Sequence, residues 1–318
     1  ELELNKDKFP FILKTALFAL LPILMISFTL AFSFHYFKNI PFKIGFVNSI
    51  PVAVISSSIA ISSSKSLSLD DREFIIYESS LSDIFGIIIF NFFVFNDAGV
   101  EVKSIIPFAF ETLLVLVVAS ITTLSLAFLL SRIKHHVKFI PIIVIIIMIY
   151  AISKLYHLPA LILILVFGLF LGNIDKIKRT SKLFEMLRVD VLRDEVNRFK
   201  ELTIEFTFLV RSFFFLLFGY LIETSNLLNL KTMAWAIAIC ALIYILRFIL
   251  IKVFKLSAKP ILFIAPRGLI TVLLFVSIPV SYRIDLVNES LIAQVVVLTS
   301  LVMVGAVKSK TTDVVDVV

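Results

Sequence analysis

Long apolar runs alternate with short charged stretches along most of this chain. We identify ten runs that match, or nearly match, the length of a helix crossing a hydrocarbon core of about 30 Å. They cover residues 9–37, 44–64, 73–95, 104–131, 138–153, 158–173, 201–223, 231–254, 260–281 and 288–307. The fifth and sixth runs are short, but Pro159 between them favours the start of a new helix. The pattern predicts an all-α polytopic membrane protein with ten transmembrane segments, numbered 1 to 10 here.

The loop charges orient these segments. Of the 30 Lys and Arg residues, 20 fall on the side that holds the N-terminus, six on the opposite side and four inside segments. Because basic residues accumulate on the cytoplasmic side, we expect both ends of the chain in the cytoplasm, at a bacterial plasma (inner) membrane. The charged stretch 174–200 has helical periodicity and is expected to form a cytoplasmic amphipathic helix that leads into segment 7.

Composition narrows the function classes. The apolar fraction of 60% and the mean hydropathy of +1.06 agree with a membrane protein, so the net charge of +7 indicates topology and not nucleic-acid binding. The single Cys240 excludes a disulfide framework and a cysteine-based metal site. The chain has no Walker loop, HExxH or GxSxG motif, so neither ATP hydrolysis nor proteolysis is indicated. We expect neither an enzyme nor a bound cofactor.

Segments 1–3 and 8–10 have the orientations of an inverted repeat, and their middle members each carry a proline. Pro51 lies in SIPVAV of segment 2, and Pro266 lies in APRGLI of segment 9. Proline removes a backbone donor and clashes with the preceding turn, so each segment is predicted to break at its proline. Two broken helices at mirrored depths are typical of a transporter's ion or substrate site.

The stretch YESSLSDIFG places Glu78 and Asp83 within segment 3, near the middle of the membrane. Five positions separate them, so their side chains point about 140° apart and serve different neighbours. Glu78 lies at the same depth as Arg247 of segment 8, and we predict an ion pair between them. Such a pair is either a structural bridge or part of the transport machinery.

Asp83 has no basic partner at its depth. It shares a helix face with Ser79 and Gly86. A carboxylate among hydroxyl groups and broken-helix carbonyls can bind either a proton or a hard cation, and this competition is the minimum requirement for antiport. The alternative is a satisfied polar residue in the bundle core.

Two other polar groups are open to interpretation. Arg267 either compensates exposed carbonyls or sets the field at the site, and the serines at 56–58 and 62–64 are expected to serve close helix packing.

Four stretches resemble motifs of the monovalent cation:proton antiporter superfamily, the sodium/hydrogen exchangers. YESSLSDIFGIIIF is similar to the family's acidic helix, and SIPVAVI is similar to its unwound Thr-Asp-Pro-Val-Ala segment. APRGLITVLLFVSIP resembles its Arg-Gly broken helix, and FLVRSFFFLLFGYLI resembles its Phe-rich helix with a glycine. These stretches follow the family's order and span most of the chain.

The resemblance implies an inverted-repeat antiporter fold with two broken, crossing helices. It implies a core domain formed by residues 9–97 and 231–307, a linker helix at 104–131, and a dimerisation domain at 138–223. It also implies a homodimer in the lipid bilayer, and three further N-terminal helices that precede this chain in thirteen-helix members of the family.

The candidate site residues follow from the depth arguments and the resemblance together. They are Asp83, Ser79, Ser82 and Ser49 for ion and proton binding, Glu78 and Arg247 for the core ion pair, and Ile50, Pro51, Pro266, Arg267 and Gly268 for the broken helices. The chain departs from the family pattern at three of them. Ser82 replaces an Asn or a second Asp, which resembles the electroneutral branch. Ile50 replaces the aspartate of the unwound segment and Ser49 replaces its threonine, which weakens the case for sodium and leaves potassium possible.

We therefore expect a secondary active transporter that exchanges Na⁺ or K⁺ for H⁺ by alternating access, with Asp83 binding the transported monovalent cation. Two other functions stay open. One is a sodium-coupled organic-anion symporter of similar fold. The lack of polar or Asn- and Gln-rich cavity positions in segments 2 and 9 argues against it. The other is a non-transporting, degenerate exchanger that acts as a membrane sensor or scaffold, as the Ile50 and Ser82 departures suggest.

Overall fold

The computed structural model describes residues 9–65, 67–95, 189–222, 227–257 and 261–315, together with isolated positions between 117 and 168. Regular structure in these ranges is entirely helical. The helices are α1 (Phe9–Lys38), α2 (Phe42–Ala53), α3 (Ser57–Ser63), α4 (Leu69–Phe95), α5 (Val189–Leu221), α6 (Leu230–Val253), α7 (Leu269–Val276), a 3₁₀ helix (Val280–Tyr282) and α8 (Glu289–Val315).

Most predicted segments in the described ranges coincide with a helix. Segments 1, 3, 8 and 10 correspond to α1, α4, α6 and α8, while segment 2 is divided into α2 and α3. Segment 9 is helical mainly in α7. Segments 4, 5 and 6, and with them the predicted linker helix, lie almost wholly outside the described residues. In the described part of the chain, four helices are long and apolar enough to cross a membrane: Phe9–Lys38, Phe42–Ser63, Val196–Tyr220 and Leu230–Val253.

Helix α5 joins two predicted elements. The amphipathic stretch 174–200 and segment 7 were expected to follow each other, and from Val189 to Leu221 they form one continuous helix. No proline or glycine lies between Val189 and Arg211 to end the first part.

The chain divides into two compact units. One comprises residues 1–5 and 98–212, and the other comprises residues 6–97 and 213–318. The second unit, called the core unit below, holds α1–α4 and α6–α8 and therefore every candidate site residue.

The core unit is built around apolar side chains contributed by both halves of the sequence. Ile26 of α1, Phe46 of α2, Ile243 of α6 and Val295 of α8 belong to one buried cluster. Lipid tails are as apolar as these side chains, so burial against protein yields little net hydrophobic gain in a membrane. Close packing and polar contacts between helices therefore carry more of the stability, and the core unit has both at its two helix breaks.

Candidate functional site

The first helix break separates α2 from α3. Helix α2 ends at Ala53, and Val54 and Ser56 have extended backbone angles before α3 begins at Ser57. The break lies three residues beyond Pro51, whereas the sequence predicted it at the proline itself. Helix α2 continues past Pro51 to Ala53, and the N–H of Val54 donates to the carbonyl oxygen of Ile50 at 3.3 Å at its end.

The second break precedes α7 and contains its proline, as predicted. Residues 264–268 are not helical, and α7 begins at Leu269. The carbonyl oxygen of Pro266 accepts a hydrogen bond from the backbone N–H of Ser56 at 2.9 Å, so the two breaks contact each other directly. Gly268 packs into this contact. A Cβ atom there would lie 2.8 Å from Ile59 Cδ1 and 2.9 Å from Ser56 Oγ, which is closer than side chains tolerate.

Arg267 binds the carbonyl groups exposed at the end of α2. Its Nε donates to Val52 O at 2.8 Å, Nη2 donates to Ala53 O at 3.0 Å, and Nη1 donates to Ala265 O at 2.6 Å. Its backbone N–H donates to Thr299 Oγ1 of α8 at 3.1 Å. The last carbonyls of a helix have no partner within the helix, so this buried guanidinium group supplies the missing donors. The sequence left two roles open for Arg267, compensation of exposed carbonyls and control of the electric field at the site. These contacts favour the first.

The structure brings Glu78 and Arg247 together as a bidentate ion pair between α4 and α6. Arg247 Nη1 contacts Glu78 Oε1, and Nη2 lies 2.8 Å from Oε2. Both side chains are buried, with 1% and 2% of their surface exposed. Arg247 also donates from Nε to Ile261 O at 2.9 Å and from Nη2 to Ile264 O at 3.3 Å. The pair thus fixes α4, α6 and the stretch that leads to Pro266.

Asp83 lies on α4 opposite the first break, and its two oxygens have different environments. Oδ2 accepts a hydrogen bond from the hydroxyl group of Ser57 at 2.5 Å. Oδ1 is buried and has no hydrogen-bond partner among the described residues. Within the same ranges, no Lys or Arg forms an ion pair with this carboxylate. Gly86, one turn further along α4, lets the helix pack against Val54 of the break, where a Cβ atom would overlap the valine side chain.

The three predicted serine ligands do not hydrogen-bond to Asp83. Ser79 Oγ donates to Ile75 O at 2.7 Å and Ser49 Oγ donates to Gly45 O at 2.7 Å, so both bond to their own helices. Ser82 Oγ accepts the backbone N–H of Ile55 at 3.0 Å and thereby supports the first break. Ile50 is fully buried in the apolar cluster. Ion binding by these serines stays a prediction.

Sequence reasoning missed two residues of this region. Ser57, assigned to helix packing, is the hydrogen-bond partner of Asp83. Thr299, to which no role was assigned, accepts the Arg267 N–H and is completely buried. The only signal for Ser57 was the unusual run of serines after Pro51, and no pattern in the sequence distinguished Thr299.

Two broken helices in contact, with a fixed ion pair and a buried carboxylate beside them, are typical of a membrane transporter. The chain belongs to the sodium/hydrogen exchanger family. The family's sequence model, described as "sodium/hydrogen exchanger, transmembrane", matches residues 2–309.

The fold also matches a solved structure, the sodium proton antiporter MjNhaP1 from Methanocaldococcus jannaschii at pH 8. The TM-score is 0.59 at 16% sequence identity, and the match covers 96% of this chain and 77% of the antiporter chain. The chain is thus a membrane protein with the antiporter fold, and its regular structure is helical throughout the described ranges. No curated protein matches it in sequence.

Proposed function

We propose that this protein is a secondary active antiporter that exchanges a monovalent cation, Na⁺ or K⁺, for H⁺, and that Asp83 carries both. The observation that supports the proposal most strongly is the environment of the Asp83 carboxylate. One oxygen is bonded to Ser57, and the other is buried without a partner among the described residues. An unpaired acceptor in such a place is costly, so a proton or a cation bound there would lower the free energy of the site.

The proposed coupling follows from the chemistry of a single carboxylate. Alkali-metal ions are hard cations that prefer oxygen ligands, and the hydroxyl group of Ser57 lies beside the carboxylate. A proton and a cation that use the same Asp83 oxygen exclude each other. Asp83 therefore holds either a proton or a cation when the site changes its access between the two sides of the membrane. Binding of one ion requires release of the other.

Electroneutral exchange is part of the proposal. The bidentate contact between Arg247 and Glu78 leaves the net charge of that pair unchanged through the cycle. Arg267 is bonded to carbonyl oxygens and stays protonated. The charge of the site then depends on Asp83 alone. A protonated carboxylic acid and a carboxylate with one bound alkali-metal ion have the same net charge.

The departures at Ile50 and Ser82 bear on ion selectivity. Ile50 is buried among apolar side chains and offers no oxygen, and Ser82 is bonded to the break. With one carboxylate and neutral hydroxyl groups nearby, the site is proposed to accept Na⁺ or K⁺. Exchange measured with Na⁺, K⁺ and Li⁺ in turn identifies the transported ion.

We further propose that the core unit changes its access between the two sides of a bacterial plasma membrane, with both chain ends cytoplasmic, in a homodimer held by residues 138–223. The charge asymmetry of 20 to six supports the orientation. Reagent accessibility of the loops from each side tests the orientation, and cross-linking in the membrane tests the dimer.

The first prediction concerns Asp83→Asn, which keeps the size of the side chain and removes the acid. In proteoliposomes with an imposed pH gradient, this variant is expected to abolish the pH change that added Na⁺ or K⁺ produces. Asp70→Asn, the same change at an exposed position of the same helix, is the control and should exchange like the wild type.

Exchange that survives in Asp83→Asn contradicts the proposed site. A wild-type protein that moves neither cation but accumulates a labelled organic anion with sodium would instead establish the symporter. Absence of any flux in the wild type would favour the non-transporting exchanger.

A further inference from the structure

Ser57 has a position in the fold that its neighbours in the serine run do not share. It is the first residue of α3, immediately after the break, and its hydroxyl group reaches across to α4. Ser56 Oγ and Ser58 Oγ are 2.8 Å apart and hydrogen-bond to each other. Ser62 Oγ bonds to the backbone of its own helix. In the serine run 56–58, only the hydroxyl group of Ser57 is hydrogen-bonded to Asp83.

The contact depends on the crossing of the two breaks. The backbone N–H of Ser56 is held by Pro266 O at 2.9 Å, and that of Ile55 is held by Ser82 Oγ at 3.0 Å. These bonds fix the backbone immediately before Ser57 relative to α4 and to the second break. A movement of either break would therefore change the distance between Ser57 Oγ and Asp83.

We infer that Ser57 is a positioning and specificity-determining residue, which holds one oxygen of Asp83 and biases its competition between proton and cation towards the cation. The inference rests on the proposed antiport function. A hydroxyl group has one hydrogen to donate and two lone pairs. It can therefore donate to the ionised carboxylate, and it can also offer an oxygen to a cation bound there. Donation stabilises the ionised form, since hydrogen bonds to charged groups are stronger than those to neutral ones.

Other charged groups around Asp83 do not substitute for this contact. Helices α3 and α7, which pack against α4, contain no titratable side chain. Helix α2 has only Lys43, which bonds to Tyr282, and α1 has its titratable residues near its ends: Lys14, His35, Tyr36 and Lys38. Glu78, on α4 itself, is paired with Arg247, and the side chain of Arg267 is bonded to carbonyls. Among the described residues, the side-chain hydrogen bond to the Asp83 carboxylate comes from Ser57.

The test uses purified full-length chain in proteoliposomes, with exchange rates measured across a range of pH and cation concentration. Ser57→Ala removes the donor, so the proton binds Asp83 more tightly. The pH profile is expected to move upward by about one unit, and the apparent KM for the cation on its acidic limb to rise roughly tenfold. Ser57→Thr keeps the hydroxyl group and should retain the wild-type profile. Ser62→Ala, on the same helix, is the matched control.

Ser57→Cys covers the case in which Ser57→Ala fails to fold. The thiol group is a weak donor of similar size, so the profile should move in the same direction by a smaller amount. A Ser57→Ala profile that coincides with the wild type, or an equal shift in Ser62→Ala, overturns the inference. If the wild type exchanges and Asp83→Asn does not, either of these outcomes rejects the inference about Ser57 and leaves the proposed function supported. If the wild-type protein shows no exchange, both the proposed function and the inference about Ser57 are rejected.

Discussion

At the scale of single residues, two acids of one helix differ because their neighbours differ. Both carboxylate oxygens of Glu78 contact Arg247, which also contacts carbonyl oxygens and the ring of Phe18 at 5.3 Å. Burial of two charges costs more than their attraction returns unless the other donors are also bonded. Here Arg247 uses Nε as well as both terminal nitrogens, so this pair can exist as a fixed element. Asp83 has no such partner among the described residues, and it is the acid that we propose exchanges its ligand.

The second prediction tests the fixed pair. Glu78→Gln leaves the guanidinium group of Arg247 buried without a counter-charge, and the loss in unfolding free energy is expected to be about 3–5 kcal/mol. Thermal or chemical unfolding in detergent measures it. Glu201→Gln, an exposed position of α5, should change stability by less than about 0.5 kcal/mol. Equal stability of the two variants would contradict the structural role of the pair.

The sequence allowed some residue contacts to be predicted and not others, for a physical reason. The contact between Glu78 and Arg247 could be predicted because depth along an unbroken helix follows from counting residues at a fixed rise. Ser57 could not be assigned in this way. Val54 and Ser56, between α2 and α3, are extended, so the angular position of α3 cannot be extrapolated from α2.

At the scale of elements, the two breaks support each other. The end of α2 lacks donors for its carbonyls, and Arg267 of the second break supplies them. The N–H of Ser56 lacks a helical partner, and Pro266 of the second break accepts it. Each break satisfies polar groups of the other, as irregular backbone at membrane depth requires. A change at either break is therefore expected to affect both.

The third prediction concerns the closest approach of the breaks. Gly268→Ala adds a Cβ atom that would overlap Ile59 and Ser56, and overpacking of this kind costs about 1–3 kcal/mol. The variant is expected to be less stable and to exchange more slowly, because the first break and Ser57 are displaced relative to Asp83. Unfolding in detergent and exchange in proteoliposomes measure the two effects.

The matched control for this variant is Gly305→Ala in α8, where an added Cβ atom meets nothing within 4 Å. Alanine is a better helix former than glycine, so the control should keep or gain stability, by up to about 1 kcal/mol. If both glycine variants behave alike, the tight crossing at Gly268 does not matter for folding or transport.

The position of the breaks was partly predictable at this scale. Pro266 lies inside the second break, as expected, because proline lacks a backbone N–H donor and clashes with the preceding turn of a helix. Pro51 lies inside α2, and the first break follows at Val54. Proline weakens a helix over the turn around it. The residue at which the helix ends depends on which neighbouring groups can hydrogen-bond to the freed backbone N–H and C=O groups. Those partners, Ser82, Pro266 and Arg267, are distant in sequence.

At the scale of the whole molecule, the hydrophobic pattern was sufficient for the membrane class and for most helices of the core unit. The bounds of α1, α4, α6 and α8 agree with segments 1, 3, 8 and 10 to within a few residues at most ends. The packing of the helices around the two breaks could not be predicted from the sequence. It depends on polar contacts between residues far apart in the chain, such as Arg267 with Val52 and Thr299. The family match over residues 2–309 gives the transporter class independently of these contacts.

At the scale of the whole molecule, the proposed antiport requires that a proton and a monovalent cation compete for the carboxylate of Asp83. The claim is tested most directly by measuring protons released when Na⁺ or K⁺ is added to purified protein in weakly buffered detergent solution, at the midpoint of its exchange profile. The wild type is expected to release up to about one proton per chain as the cation saturates its site, and Asp83→Asn should release none. Cation binding without proton release, or release that persists in Asp83→Asn, would contradict the claim.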